Sequence, residues 1–269
     1  MGKQNVIVTG GNRGIGYALV RGFLKEGCNV WVCARTQSTG WEKELYEMAD
    51  AYGVWIKTVC LELEDKESIV QAAKTILSDQ IRIDCLVNNA GISGTGLFLM
   101  TSMQEIEKMF QVDFFGLLSF TQLIARKMIR QKSGNIINIS SVRGLKPEAG
   151  GIAYGTAKAA VAFATKILAQ ELGPFHIRVN AVAPGLIRTD MIRYKSGETV
   201  QDIIGKSALK KAGEKEDVVH AVLFLASEQA AFITGEIIKV DGGYEAAGGG
   251  KTKHKNPVQD IPAVCCLCL

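Results

Sequence analysis

The sequence predicts an α/β fold, built as one doubly wound parallel sheet with helices on both faces. Three observations predict it. Short apolar runs alternate with helical patterns along nearly the whole chain. The runs are continuously apolar, as expected of strands covered on both sides. A glycine-rich segment closes the first run and opens the first helical pattern, the place where doubly wound sheets hold phosphate-bearing ligands.

Residues 5–9 read as the first strand and 14–25 as the first helix. Residues 30–34 form the second strand pattern, followed by a helix over 41–52. A strand over 55–60 and a helix over 66–77 come next, then a strand over 84–88. A long helical stretch occupies 101–130, and a strand follows over 135–140. The remaining pattern is helix 153–172, strand 177–182, helix 214–226 and strand 236–240. No repeat or linker interrupts this series before Tyr244, so residues 1–244 are expected to be a single Rossmann-type domain. The glycine- and lysine-rich run 246–255 reads as coil, and 245–269 as a disordered extension without part in catalysis. Cys266 stands fourth from the end with basic residues upstream, a partial prenylation pattern that Cys268 fits poorly.

Composition narrows the function. The chain has 269 residues, of which 47% are hydrophobic, enough for a sizeable core. No apolar run approaches the roughly 18 residues a membrane span needs, and a strand pattern begins too early for a signal peptide. The net charge of +4 is modest, and no basic run with interleaved aromatics points to nucleic acid. Cys28, Cys33, Cys60 and Cys85 lie in or beside apolar strands and read as small buried hydrophobes. They share no ligand spacing with the three histidines, so no metal site is expected. A reducing compartment, the cytoplasm, is the expected location.

The segment Thr9-Gly10-Gly11-Asn12-Arg13-Gly14-Ile15-Gly16 carries the first chemistry. Glycines permit a tight turn and close backbone approach, and the following helix presents free N–H groups and its positive end to a pyrophosphate. Gly10, Asn12, Arg13, Gly14, Ile15 and Gly16 are therefore expected to bind a dinucleotide. An acidic residue after the second strand would hold ribose hydroxyls. This chain has Arg35 there, and Arg13 in the loop. Two guanidinium groups suit a 2′-phosphate, so the expected cofactor is NADP(H) rather than NAD(H).

Tyr154 and Lys158 carry the second. They are four residues apart in an alanine-rich helical run, which places both side chains on one face. An ammonium near a phenol favours the phenolate and lowers its pKa. Such a phenol exchanges a proton with a substrate oxygen.

Taken together, these motifs resemble the short-chain dehydrogenase/reductase family over roughly residues 3–244. The resemblance rests also on Asn88-Asn89-Ala90-Gly91, on Ile139-Ser140-Ser141-Val142, on residues 180–185 and on Val240-Asp241-Gly242-Gly243-Tyr244. Within the family the chain is most similar to 3-oxoacyl-acyl-carrier-protein reductases, through residues 221–227 and 232–236. The resemblance implies an oxidoreductase that interconverts a carbonyl and a secondary alcohol by hydride transfer. Tyr154 would be the general acid, Ser141 would hold the carbonyl, and Lys158 would tune Tyr154 and bind the nicotinamide ribose. Asn89, Ala90 and Gly91 would line the adenosine side. Pro184, Gly185, Ile187 and Thr189 would run along the nicotinamide and phosphates. Glu62 and Leu63 would face the adenine, where the family more often has Asp-Val. One departure stands out. The family usually has an asparagine in the long helix, supporting a water chain from Lys158; this chain has Asp113. A carboxylate there would hold the ammonium more tightly and alter proton relay without abolishing it.

The substrate is left open. Residues 191–212 resemble the family's substrate lid, offering Ile192, Tyr194, Ile203 and Ile204 with Arg193 and Lys195. Leu145, Pro147, Gly150 and Gly151 are expected to shape the opposite wall. Arg126, Lys127, Arg130 and Lys132 cluster at the end of the long helix, either as a docking patch for an acyl carrier protein or as a solvated, dipole-favoured helix end. A 3-oxoacyl thioester is the first candidate substrate. An alcohol, sugar or ketone of a specialised pathway is the alternative, and a dinucleotide sensor without turnover a third. More faces of the long helices look apolar than one sheet needs, and the resemblance implies a homotetramer.

Overall fold

A computed structural model of the chain describes residues 3–35, 40–188, 204–205 and 207–244. The strands are β1 (Asn5–Thr9), β2 (Asn29–Ala34), β3 (Ile56–Cys60), β4 (Cys85–Asn88), β5 (Gly134–Ile139), β6 (Ile177–Pro184) and β7 (Ile237–Val240). They form one sheet in the order β3-β2-β1-β4-β5-β6-β7, and every pairing is parallel. The helices are α1 (Gly14–Lys25), α2 (Trp41–Ala51), α3 (Lys66–Ser78), α4 (Met103–Phe110), α5 (Leu117–Gln131), α6 (Ile152–Leu172) and α7 (Lys215–Ala226).

The sheet is buried on both sides, which is why its strands read as unbroken apolar runs. Val6 and Val8 of β1 join a core with Leu19, Phe23, Leu45 and Val222. Ile7, between them, points the other way and joins Ile69, Ile76, Phe120 and Ile124. All six residues of β2 are buried. A parallel sheet with two covered faces needs this, because successive side chains alternate between the two cores. Edge strand β3 alternates instead, and its last residue, Cys60, is exposed. Cys28, Cys33 and Cys85 are buried as expected; Cys60 is the correction, because an edge strand turns one side of its pleat to solvent.

The stretch over 101–130 is not one helix. A π turn at Gln111–Gly116 separates α4 from α5. The extra residue in such a turn shifts the side chains that follow and is common at functional sites. Here it carries Asp113 into the protein interior, where it has no exposed surface.

β1 and β4 are neighbours at the point where strand order reverses, so their connections diverge and leave a crevice at their carboxyl ends. A buried polar ladder ties the elements beneath it. Asn88 Nδ2 donates to Thr121 Oγ1 and to Asn138 Oδ1, each at 2.8 Å. Asn138 Nδ2 in turn donates to Thr165 Oγ1 at 2.9 Å. β4, β5, α5 and α6 are thus locked together, with the amide hydrogen-bonding groups satisfied rather than stranded in the core.

Candidate active site

A cleft of about 970 Å³ opens along the carboxyl ends of the strands, near the upper end of the range for small-molecule and cofactor sites. The glycine loop forms one end. Gly16 lies so close to it that a β-carbon there would fall 2.0 Å from the Gly10 carbonyl oxygen. Only glycine permits this approach of helix to turn. Asn89 Nδ2 donates to the carbonyls of Thr9 and Gly10, at 3.0 and 3.2 Å. The backbone N–H groups of Asn89 and Ala90 both donate to Thr9 Oγ1 at 3.0 Å. Asn89 lines the cleft, but its side-chain amide is spent on holding the loop's shape.

The N-terminus of α1 has no side-chain cap and no acidic residue in its first turn. Its N–H groups and dipole are left for an anion, which fits a pyrophosphate. Gly10, Asn12, Arg13, Gly14, Ile15 and Gly16 all line the cleft, as do Arg35, Glu62 and Leu63. Arg35 Nε stands 3.9 Å from Glu62 Oε2, both half-exposed or nearly so. Leu63 is buried, and Arg13 is exposed at the loop's rim. Ala90, Gly91, Pro184, Gly185 and Ile187 continue the wall. Thr189 lies outside the described residues, as do Ile192, Arg193, Tyr194, Lys195 and Ile203.

At the other end, Ser141, Tyr154 and Lys158 line the same cleft. Ser141 caps a short 3-10 turn, Val142–Gly144, by accepting from the Arg143 N–H at 3.2 Å. That turn presses against α6. A β-carbon on Gly144 would meet the Lys158 backbone carbonyl carbon at 2.6 Å, and one on Gly155 would meet the Arg143 oxygen at 2.9 Å. Ser140 Oγ also donates to the Lys158 carbonyl at 2.9 Å. Two glycines and one hydroxyl therefore set the spacing between the serine turn and the Tyr154 helix.

Lys158 Nζ is buried. It donates to the Ile139 carbonyl at 3.2 Å and lies 3.2 Å from Asp113 Oδ2. Asp113 Oδ1 accepts from the Ile92 N–H at 2.8 Å. Desolvation pulls the Lys158 pKa down, but the charges of Asp113 and Tyr154 and a hydrogen bond with Asp113 outweigh it and leave the pKa raised. Lys158 is thus a firmly held cation, 5.8 Å from the centre of the Tyr154 ring. A phenol, a hydroxyl and a cation converge where a carbonyl oxygen could receive a proton.

The chain is similar to known proteins over most of its length. A family model described as enoyl-(acyl carrier protein) reductase matches residues 10–245. The 3-oxoacyl-[acyl-carrier-protein] reductase of Aquifex aeolicus is 42% identical over 237 residues, covering 88% of this chain and 95% of that protein. The chain belongs to the short-chain dehydrogenase/reductase family. A 3alpha-hydroxysteroid dehydrogenase of Mediterraneibacter gnavus is 37% identical, over 88% of this chain and 94% of that one. Among solved structures, ElxO with NADP bound superposes with a TM-score of 0.81 at 35% identity, covering 91% and 99% of the two chains. Acetoin dehydrogenase YohF from Salmonella typhimurium gives 0.82 at 32% identity, covering 91% and 96%. As a short-chain dehydrogenase/reductase, this chain is an oxidoreductase acting on CH–OH/C=O groups.

Some polar wall residues do not stand out in the sequence. Arg143, Glu148 and Tyr244 line the cleft, whereas Leu145, Pro147, Gly150 and Gly151 do not. The signal was a charged residue two positions after Ser141 and another four before Ile152. The basic cluster at the end of α5 lies where that helix feeds the start of β5, the opposite end of the strand from the cleft.

Proposed function

We propose that this protein is an NADPH-dependent reductase of 3-oxoacyl thioesters. The observation that carries the reading is the meeting of Ser141, Tyr154 and Lys158 at one end of a cleft whose other end is a glycine loop backed by a helix N-terminus. Its support includes the 42% identity to a 3-oxoacyl-[acyl-carrier-protein] reductase and the likeness to ElxO with NADP bound.

When bound, the reduced nicotinamide supplies the hydride that the carbonyl carbon accepts. Gly14, Ile15 and Gly16 present α1's N–H groups to the pyrophosphate, and Asn12 flanks them. Arg13 and Arg35 would face the 2′-phosphate, while Glu62 and Leu63 would border the adenine. Ala90 and Gly91 would lie along the adenosine, and Pro184, Gly185 and Ile187 along the nicotinamide half. Ser141 Oγ donates a hydrogen bond to the substrate oxygen. Tyr154 Oη gives that oxygen its proton as the C–H bond forms. Lys158 stabilises the charge left on the phenol and binds the nicotinamide ribose. Asp113 fixes Lys158 in place through the 3.2 Å ion pair. The sums balance: a carbonyl, a hydride and a proton give a secondary alcohol.

The same reading makes residues 1–244 the catalytic domain and the acyl carrier protein a natural bearer of the substrate. A homotetramer is supported by apolar side chains left exposed on neighbouring elements, with Phe115 51% and Phe163 67% exposed. A cytoplasmic location accords with buried free thiols. No helix among the described residues is long and apolar enough to cross a membrane.

A second reading, reduction or oxidation of a non-acyl alcohol or ketone, is favoured by the 37% identity to a 3alpha-hydroxysteroid dehydrogenase. The test follows NADPH absorbance with an acetoacetyl thioester, then with ketones, sugars and a 3-oxosteroid, using both cofactors. Turnover of the thioester with NADPH is expected. Turnover only of another class favours the second reading, and tight NADPH binding with no turnover would mean a sensor.

A further inference from the structure

Arg143 rides the same 3-10 turn as Ser141 and leans over the catalytic end of the cleft. Its guanidinium carbon lies 5.9 Å from the centre of the Tyr154 ring. Its Nε faces Glu148 Oε2 at 3.1 Å, and Glu148 Oε1 accepts from the Tyr244 hydroxyl at 2.8 Å. Lys146 Nζ stands 5.4 Å over the Tyr244 ring. The arginine is therefore oriented from behind by a carboxylate that is itself held by a phenol. Its side chain keeps 21% exposure on the cleft wall. Nη2 is enclosed without a hydrogen-bond partner.

Tyr154 already has Lys158 as its cation, held by Asp113. A half-buried guanidinium with unused donors costs stability unless a ligand or water completes it. The wall opposite the cofactor loop is thus polar where an unfunctionalised alkyl chain would want it apolar. The exposed part of the guanidinium group suits an acceptor oxygen carried by the substrate a short way from the reacting carbonyl.

We infer that Arg143 is a specificity-determining residue that hydrogen-bonds the second carbonyl oxygen of a 1,3-dicarbonyl substrate, with Glu148 and Tyr244 as its positioning residues. The inference rests on the proposed carbonyl reduction and deepens it. The thioester carbonyl of a 3-oxoacyl group lies two bonds from the ketone carbon. With the ketone oxygen held by Ser141 and Tyr154, that second oxygen is directed toward the arginine on the adjoining wall. The shared chemistry is the β-placed carbonyl, from a thioester or from an ester.

The experiment measures kcat/KM for three compounds with NADPH: acetoacetyl-N-acetylcysteamine, ethyl acetoacetate, and an alkyl ketone of matched length without the second carbonyl. In Arg143→Met, the ratio of either dicarbonyl to the alkyl ketone should fall about 10- to 100-fold, the loss of one charged hydrogen bond. Most of that fall should appear in KM. NADPH affinity by fluorescence reports that the protein is folded. If Arg143→Met does not fold, Arg143→Lys reads the same ratio, with an intermediate fall because a lysine keeps the charge without the fork. Glu148→Gln should raise KM for the dicarbonyls more than for the ketone. An unchanged ratio, or equal losses on all three compounds, overturns the inference while leaving the reductase reading intact. A wild type that reduces none of the three overturns both. A drop with the thioester alone would also overturn it, since the ester carries the same second carbonyl.

Discussion

Asp113 and Lys158 form an ion pair of 3.2 Å with their side chains 0% and 6% exposed. The pair joins the π turn to α6, and so fixes the cation beside Tyr154. Folding raises the Lys158 pKa above its ordinary 10.5, burial opposing and Asp113 and Tyr154 prevailing. A raised pKa contributes stability that is fully present below the ordinary lysine value and lost as pH climbs through the folded one. Asp113→Leu leaves a buried cation without its partner and should cost about 3–5 kcal/mol. Asp113→Asn, which keeps an acceptor for the Ile92 N–H, should cost less. The gap in Tm between wild type and Asp113→Asn should hold steady near neutrality and narrow above about pH 10. A gap that widens with alkali contradicts the pairing.

Gly144 sets how closely the Ser141 turn meets α6. A β-carbon would sit 2.6 Å from the Lys158 carbonyl carbon, backbone that cannot give way cheaply. Gly144→Ala should destabilise by about 1–3 kcal/mol, as overpacking does, and should lower kcat with NADPH affinity nearly kept. Thermal melts and steady-state kinetics on one preparation check both. Loss of cofactor binding with kcat retained would put the strain elsewhere.

Arg35 lines the cleft beyond β2, within 3.9 Å of Glu62. If it contacts the 2′-phosphate, Arg35→Ser should raise the NADPH KM about 10- to 100-fold, one charge-assisted contact's worth, and leave NADH less affected. The ratio of the two KM values decides. Equal changes for both cofactors would remove Arg35 from phosphate recognition.

Much of this arrangement is legible in the sequence, for physical reasons. β2 reads as a strand because both its faces are buried, and the glycine loop reads as a phosphate cradle because only glycine allows Gly16 to touch Gly10. The break between α4 and α5 does not announce itself. Gln111-Val112-Asp113-Phe114-Phe115-Gly116 contains no proline, and its residues suit an α-helix as well as a π turn. Nor does the sequence show that Asp113 is buried, since its partners, Ile92 and Lys158, are distant in the chain. Arg143 and Glu148 are local, but Tyr244 joins them only in space. Glu148 and Tyr244 are 96 residues apart, and separation of that order hides a polar wall from any local pattern. An apolar run does not reveal which strand ends as the sheet's edge, so the exposure of Cys60 is not legible in the sequence.

Phe163 is 67% exposed on α6 and Ile167, one turn on, 45%. A second copy of this chain would cover them in the proposed homotetramer. Phe163→Asp should place a charge in that interface and shift the mass seen by sedimentation toward smaller species, with NADPH binding retained by each chain. A wild type that sediments as a monomer would refute the assembly.

In the proposed reduction, the Tyr154 hydroxyl delivers the proton to a carbonyl bound against Ser141. Single-turnover reduction of an acetoacetyl thioester by Tyr154→Phe, with NADPH binding measured in parallel, tests it most directly. Positioned proton transfer contributes about 100- to 10,000-fold, so the chemical step should slow by that factor while NADPH still binds. A variant that binds NADPH and reduces the substrate at the wild-type rate would contradict the account.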